Sequence, residues 1–190
     1  LPAVPAWLRG DLARAFFSDL APRLGGELAL LDDAALASLQ ERLRASPWLI
    51  EPRVARRYPD RLLVDGRLRR PECRVVVDGV LRALATRDGD LLTVDPRIGS
   101  CDSLPLLDLG ALPDDPRAWA DDPRIAAAAA VAFEWREEVR PACPDAPPLV
   151  VIDADNLGWR YVGDARVSEL RVALARSDGG LAWFQHGRAA

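Results

Sequence analysis

The sequence predicts an α+β protein in which helices and strands are segregated rather than alternating. Three observations lead there. Two amphipathic helical stretches come first. Alternating apolar and polar residues punctuated by Asp-Gly pairs follow. A single alanine-rich helical stretch then interrupts a further set of strands. The β-α alternation of a doubly wound parallel sheet is missing, so antiparallel sheets are expected. The 190 residues are 49% apolar and 28% charged, enough to bury a core in one ordinary domain or two small ones.

The elements are justified in order. Leu8, Leu12, Phe16 and Leu20 recur at helical spacing, and Pro22 is expected to end that helix. Gly25-Gly26 marks a break. A second helix begins near Asp32 or Asp33, carries Leu36, Leu39 and Leu43 on one stripe, and stops at Pro47. From Trp48 to about Val94 the pattern is that of strands. Val64, Gly66 and Leu68 point to a buried side, and Leu63, Asp65, Arg67 and Arg69 to a wet one. Gly66 on the buried side predicts a bulge or close packing. Asp78-Gly79 and Asp88-Gly89 are tight-turn pairs, predicting a meander with strands near 72–77, 80–86 and 90–94. A Pro-, Asp- and Gly-rich connection covers 100–116. Asp122 then caps a third helix with Pro123 at its first position, and Ile125, Ala129, Ala132 and Phe133 form its apolar side, with Pro141 and Pro144 ending it. Strands are expected again at 149–154, 167–175 and 181–185, the last two joined by a turn at Ser177-Asp178-Gly179-Gly180.

Composition removes several kinds of chemistry. All 25 basic residues are arginine, which excludes a lysine Schiff base and a lysine-built P-loop. The single histidine, His186, excludes a histidine metal cage and has no local Ser or Cys partner. A net charge of −4 does not favour a strongly electrostatic nucleic-acid binder. Cys73, Cys101 and Cys143 contain no Cys-x-x-Cys and form no disulfide framework. With no methionine, the chain is expected to be a region of a longer protein. Its longest apolar stretch, residues 125–133, falls short of the ~18–20 residues a membrane helix needs.

Three features carry functional readings. The apolar strand ending Asp153-Ala154-Asp155-Asn156 is similar to the first motif of haloacid-dehalogenase-type phosphatases and PIN-like nucleases, in which carboxylates hold a divalent metal. The simpler reading is a strand entering an Asx-stabilised turn. Residues 51–74 hold eight arginines against four acids, a solvated strand face or a surface for an anionic partner. Trp183-Phe184 lies on the last expected strand, residues Leu181, Ala182, Trp183, Phe184 and Gln185. At a sheet edge that strand can accept another strand from a partner. The Asp-Asp pairs at 32–33, 114–115 and 121–122 read as caps and solvated turns. No residue set calls for catalysis, a metal or a cofactor.

The stretch Ser46-Pro47-Trp48-Leu49, Val54, Arg56-Arg57-Tyr58-Pro59-Asp60-Arg61-Leu62, Val64 and Arg69-Arg70-Pro71 resembles the FtsQ/DivIB family of bacterial cell-division proteins. That family has a helix ending in P-W-V, then V-x-R-x-(W/Y)-P-x-x-L-x-V, then a strand closing on E-R-x-P. Residues 85–92, Leu104-Pro105-Leu106-Leu107 and the closing strands follow in the family's order. Differences are Gly66 at an apolar strand position, Leu68 for the glutamate, and Glu72-Cys73 where the family carries an apolar pair.

The resemblance implies a POTRA domain over residues 1–71, containing two helices and an antiparallel sheet. A mainly antiparallel β domain carrying one long helix follows over 72–190, truncated at its C-terminal end. It implies a single-pass inner-membrane protein with this region in the periplasm, its N-terminal membrane helix absent here. The implied role is a non-enzymatic divisome scaffold at the septum, binding FtsB- and FtsL-like coiled-coil segments through protein–protein contacts. The alternatives are a POTRA-containing module of another envelope system, such as outer-membrane protein assembly, or a metal-dependent phosphatase or nuclease using Asp153 and Asp155.

Overall fold

The structure is a computed structural model that describes residues 4–25, 32–58, 61–110, 119, 121–162 and 165–186. For residues 96, 156, 158–162 and 165–169 it describes the backbone alone. Pro59 and Asp114-Asp115 lie outside the described residues. The fold is mixed α+β with two sheets, mostly antiparallel. The chain divides into two compact units, Leu1–Arg70 with Thr93–Ser100, and Pro71–Leu92 with Cys101–Ala190. No helix among the described residues is long and apolar enough to cross a membrane.

The first unit packs two helices against a hairpin. Helix α1, Gly10–Leu24, buries Leu12, Phe16 and Leu20 as its spacing predicts. Pro22 does not end it: the helix runs on to Leu24 and closes with the Gly25 N–H donating to Ala21 O at 3.1 Å. A proline this close to the end forfeits only one late hydrogen bond, so the last turn survives. Helix α2, Asp33–Arg44, is capped by Asp32, whose carboxylate accepts the Ala34 N–H at 2.8 Å. The helix ends at Arg44, short of Pro47; beyond it Ser46 donates to Asp19 at 2.5 Å, while Arg23 holds the same carboxylate from α1 at 2.9 Å. Trp48 is fully buried, edge-on to Phe16 at 5.9 Å between centroids.

Strands β1, Leu49–Arg57, and β2, Arg61–Leu68, pair antiparallel. The predicted alternation of β2 holds, with residues 62, 64, 66 and 68 half-buried and 61, 63, 65 and 67 exposed. So does the bulge: register shifts between Ile50 and Arg53, placing Glu51 and Pro52 opposite Gly66. Gln40 of α2 closes the free edge of β1 there, accepting the Val54 N–H at 2.8 Å and donating to Pro52 O.

The second unit is a seven-stranded sheet with one helix on its face. In chain order the strands are β3, Pro71–Val77; β4, Val80–Thr86; β5, Leu91–Thr93; β6, Leu106–Asp108; β7, Leu149–Val162; β8, Ala165–Ala175; and β9, Leu181–Gln185. The sheet order is β5-β4-β3-β6-β7-β8-β9. The meander β3-β4-β5 sits where its turn pairs predicted, with Asp78 and Gly79 both at positive φ as a type I′ turn requires. Strand β6 corrects the expected loop at 100–116. It is only three residues long and runs parallel to both β3 and β7, so the sheet is mixed at its centre. Strand β7 also corrects an expectation, continuing to Val162 instead of turning after Asp155 and absorbing the irregularity as a register shift between Asp153 and Gly158.

Helix α3, Pro123–Glu134, starts at Asp122 as predicted, with the Asp122 carboxylate accepting the Arg124 N–H at 2.9 Å. Its alanines lie close on the sheet: Ala128 and Ala129 are fully buried against Cys73, Val75, Ile152 and Leu170. A π-helical turn over Trp135–Val139 and a last turn over Arg140–Ala142 follow. Pro141 lacks an N–H and its ring would press on the carbonyl four residues back; the wider π turn lies where that strain would fall.

Candidate functional site

Strand β9 closes one end of the seven-stranded sheet. Its register with β8 decides what it offers to a neighbour. The pairs are Arg171 with Gln185, Val172 with Phe184, Ala173 with Trp183, Leu174 with Ala182, and Ala175 with Leu181. The His186 N–H donates to Leu170 O at 2.7 Å, and the Arg176 N–H to Gly180 O at 2.9 Å. Hydrogen-bonded and non-bonded pairs alternate along an antiparallel ladder. The bonded pairs are therefore those of Phe184 and Ala182, and the backbone N–H and C=O groups of Leu181, Trp183 and Gln185 face outward. Among the described residues nothing pairs with that outward edge.

The side chains reinforce the exposure. Leu181 is 42%, Trp183 43% and Phe184 53% exposed. Alternation puts Trp183 on the side of Arg171, whose guanidinium stacks 4.9 Å from the ring centroid, and Phe184 on the side of the buried Val172. Beyond β9, His186 lies 3.1 Å from Glu134, which anchors the strand's end to α3. Strand β9 contains no charged residue and no proline, the usual devices that blunt an edge.

The other sequence-selected residues occupy structural positions. Pro47 lies three residues beyond the end of α2, Trp48 is buried, and Val54 bonds Gln40. Leu62 is half-buried, Val64 lines a groove, and Arg57 is exposed. The Arg69 N–H donates to Trp48 O at 2.9 Å, and Pro71 is fully buried at the start of β3. The groove lies within the first unit, lined by Leu8, Phe16, Phe17, Leu20, Val64 and Leu68 among others, with a volume of about 490 Å³ including its open mouth. No family model and no curated protein matches this chain.

Asp153 and Asp155 are not arranged as a pair of free ligands. The Asp153 carboxylate accepts the Asp155 N–H at 3.2 Å and meets Arg171 at 3.5 Å. Asp155 lies against Gly110 and adds to the field on Arg124. Among the described residues no group of three His, Cys, Asp or Glu side chains is placed to hold a metal. None of the three cysteines is in a disulfide; Cys73 and Cys101 are buried and Cys143 is exposed. Burial, with the neighbouring Glu72 carboxylate, pushes the Cys73 thiol up to about 12, which keeps it protonated and inert.

Sequence reasoning selected β9 through its apolar pair and position. It missed which backbone groups face outward, and Arg171 beneath Trp183. Only the strand register reveals both.

Proposed function

We propose that this chain is the extracytoplasmic part of an FtsQ/DivIB-type division scaffold, its first unit POTRA-like, and that β9 docks an extended segment of a division partner by strand addition. The observation that carries the reading is the unblunted edge, with three outward pairs of backbone groups flanked by exposed Leu181, Trp183 and Phe184. Main-chain hydrogen bonds would give affinity, and the exposed rings would give side-chain selectivity. The motif from Pro47 to Pro71 supports the family reading, and the parent would be anchored in the inner membrane by a single helix with this region in the periplasm.

The test is capture of the soluble segments of FtsB- and FtsL-type coiled-coil proteins by the purified chain. Proline at Gln185 removes an outward N–H without touching the ladder to β8, so Gln185→Pro should lower capture about tenfold or more. Phe184→Asp should do the same by placing a charge at the edge. Capture unchanged in both variants, or none by the wild-type chain, overturns the proposal.

A further inference from the structure

The outward edge of β9 is complementary to itself. Its outward backbone groups belong to Leu181, Trp183 and Gln185, alternate residues of a strand five residues long. They are spaced evenly about Trp183, the middle residue. A two-fold axis through Trp183, perpendicular to the sheet, lays β9 of a second copy antiparallel to the first with like faces on the same side. Trp183 then stands opposite Trp183 of the copy, and Leu181 opposite Gln185. In that register every outward N–H and C=O of the strand meets a partner. Moving the copy by two residues either way leaves Leu181 or Gln185 opposite a residue beyond the strand.

Side chains and charge agree with this register. Alternation places Ala182 beside Phe184 of the copy, on the face of the buried Val172. A methyl group there leaves room for a ring that is 53% exposed in the single chain. On the other face the two Trp183 rings are directly opposed, and cross-strand aromatic pairs are favourable. None of the residues from Leu181 to Gln185 is charged, so no like charges face each other across the new ladder. Arg171 lies one strand inward, and its two copies stand three strand spacings apart, ~14 Å between backbones against a screening length of ~8 Å. Each also meets its own Asp153 at 3.5 Å.

Size sets the strength. One pair of strands, each of five residues, buries less than the ~1,200 Å² at which stable interfaces begin. The pairing is therefore weak, with a dissociation constant on the order of 0.1 mM, and yields to a partner that adds contacts beyond the strand.

We propose that β9 pairs antiparallel with β9 of a second copy of this chain, Trp183 opposite Trp183, and that this self-pairing occupies the docking edge until a partner displaces it. The competition rests on the reading of β9 as a docking strand; the self-pairing does not.

The experiment is sedimentation equilibrium of the whole chain from about 10 µM to about 1 mM, either side of that constant. Monomer is expected at the low end and dimer at the high end. Gln185→Pro removes one outward N–H from each copy, so it should weaken pairing about a hundredfold and leave monomer throughout. Circular dichroism of the variant checks that it folds. Register is read by oxidation in a Cys143→Ser background. Trp183→Cys should cross-link into a dimer, because self-opposed residues hold their Cα atoms ~5.5 Å apart, within disulfide reach. Ala182→Cys should not, because its two copies would be ~8 Å apart. The coiled-coil segments of the capture test, added to the dimer, should split it into chains that each carry a segment. A chain that stays monomeric at ~1 mM while capturing those segments overturns the self-pairing and leaves the docking reading intact. A dimer that survives Gln185→Pro, cross-links at Ala182→Cys as readily as at Trp183→Cys, or takes up the segments without splitting also overturns the proposal. A dimer that depends on Gln185 but captures no segment leaves the self-pairing standing and sinks the docking reading instead.

Discussion

Replacing Arg136 with methionine tests the contact that joins the π turn after α3 to the start of β3. Glu72 is only 5% exposed in its side chain, and Arg136 approaches it with two nitrogens, Nη2 at 2.6 Å and Nε at 3.0 Å. Arg136 also lies 5.2 Å from the Phe133 ring, which Arg87 covers at 4.1 Å. Methionine keeps most of the stem and removes the charge. Stranding one member of a buried ion pair costs about 3–5 kcal/mol. Arg136 itself keeps 24% of its side chain in water, so some solvent reaches the site and the lower end, about 3 kcal/mol, is expected. With a urea slope of ~2 kcal/mol/M, the midpoint of the transition that includes β3 should fall by ~1.5 M. The double variant Glu72→Leu/Arg136→Met should recover about 2 kcal/mol, because no buried charge is left behind; the other partner of Arg136, Glu137, is 48% exposed. A double variant no more stable than Arg136→Met would refute the reasoning, since the loss would then arise from packing.

Three further outcomes follow from the geometry. Thiol titration of the folded chain should show a single fast-reacting cysteine, Cys143, with Cys73 and Cys101 released only by denaturant; two fast thiols would contradict their burial. Gly66→Ala should cost about 1–3 kcal/mol in denaturation, because its φ is +155° and a Cβ there would stand 3.2 Å from Pro52 Cα. Asp122 is held below the usual carboxylate range chiefly by its side-chain hydrogen bond from Arg124. Its stabilisation is therefore full above the unfolded value of ~3.9 and lost as pH falls through the lower folded one. Asp122→Asn, which keeps a cap, should be less stable than wild type by about 1 kcal/mol at neutral pH. That gap should close in acid melts.

Local signals made the local structure legible. Asp32 and Asp122 announce their helices because a short acidic side chain can satisfy the free N–H groups of a first turn. Asp78-Gly79 announces its hairpin because both residues accept positive φ. Gly66 announces the bulge because its φ is positive and a Cβ there would press on the Pro52 backbone at 3.2 Å. What stayed hidden depends on distant partners. Strand β6 has three residues between two prolines' worth of loop signals and exists only because β3 and β7 flank it. Glu72, an odd residue for a buried strand start, is explained by an arginine 64 positions later. The arginines of residues 51–74 read as one basic block in sequence, yet the fold gives Arg56, Arg70 and Arg74 partners within their own units.

The two ends of the large sheet are treated differently, and the difference bears on β9. Strand β5, at the other end, has three residues, and short edge strands offer a neighbour few backbone groups. Strand β9 has five residues, no charge, no proline, and two exposed aromatic rings. In a protein with 28% charged residues, a strand of five without one leaves the edge open to pairing. Arg171, on the neighbouring strand, stacks on Trp183 at 4.9 Å from the ring centroid. An edge left unblunted in this way invites indiscriminate pairing unless a partner covers it, so the physical argument for docking at β9 rests on what the strand lacks as much as on the rings it displays.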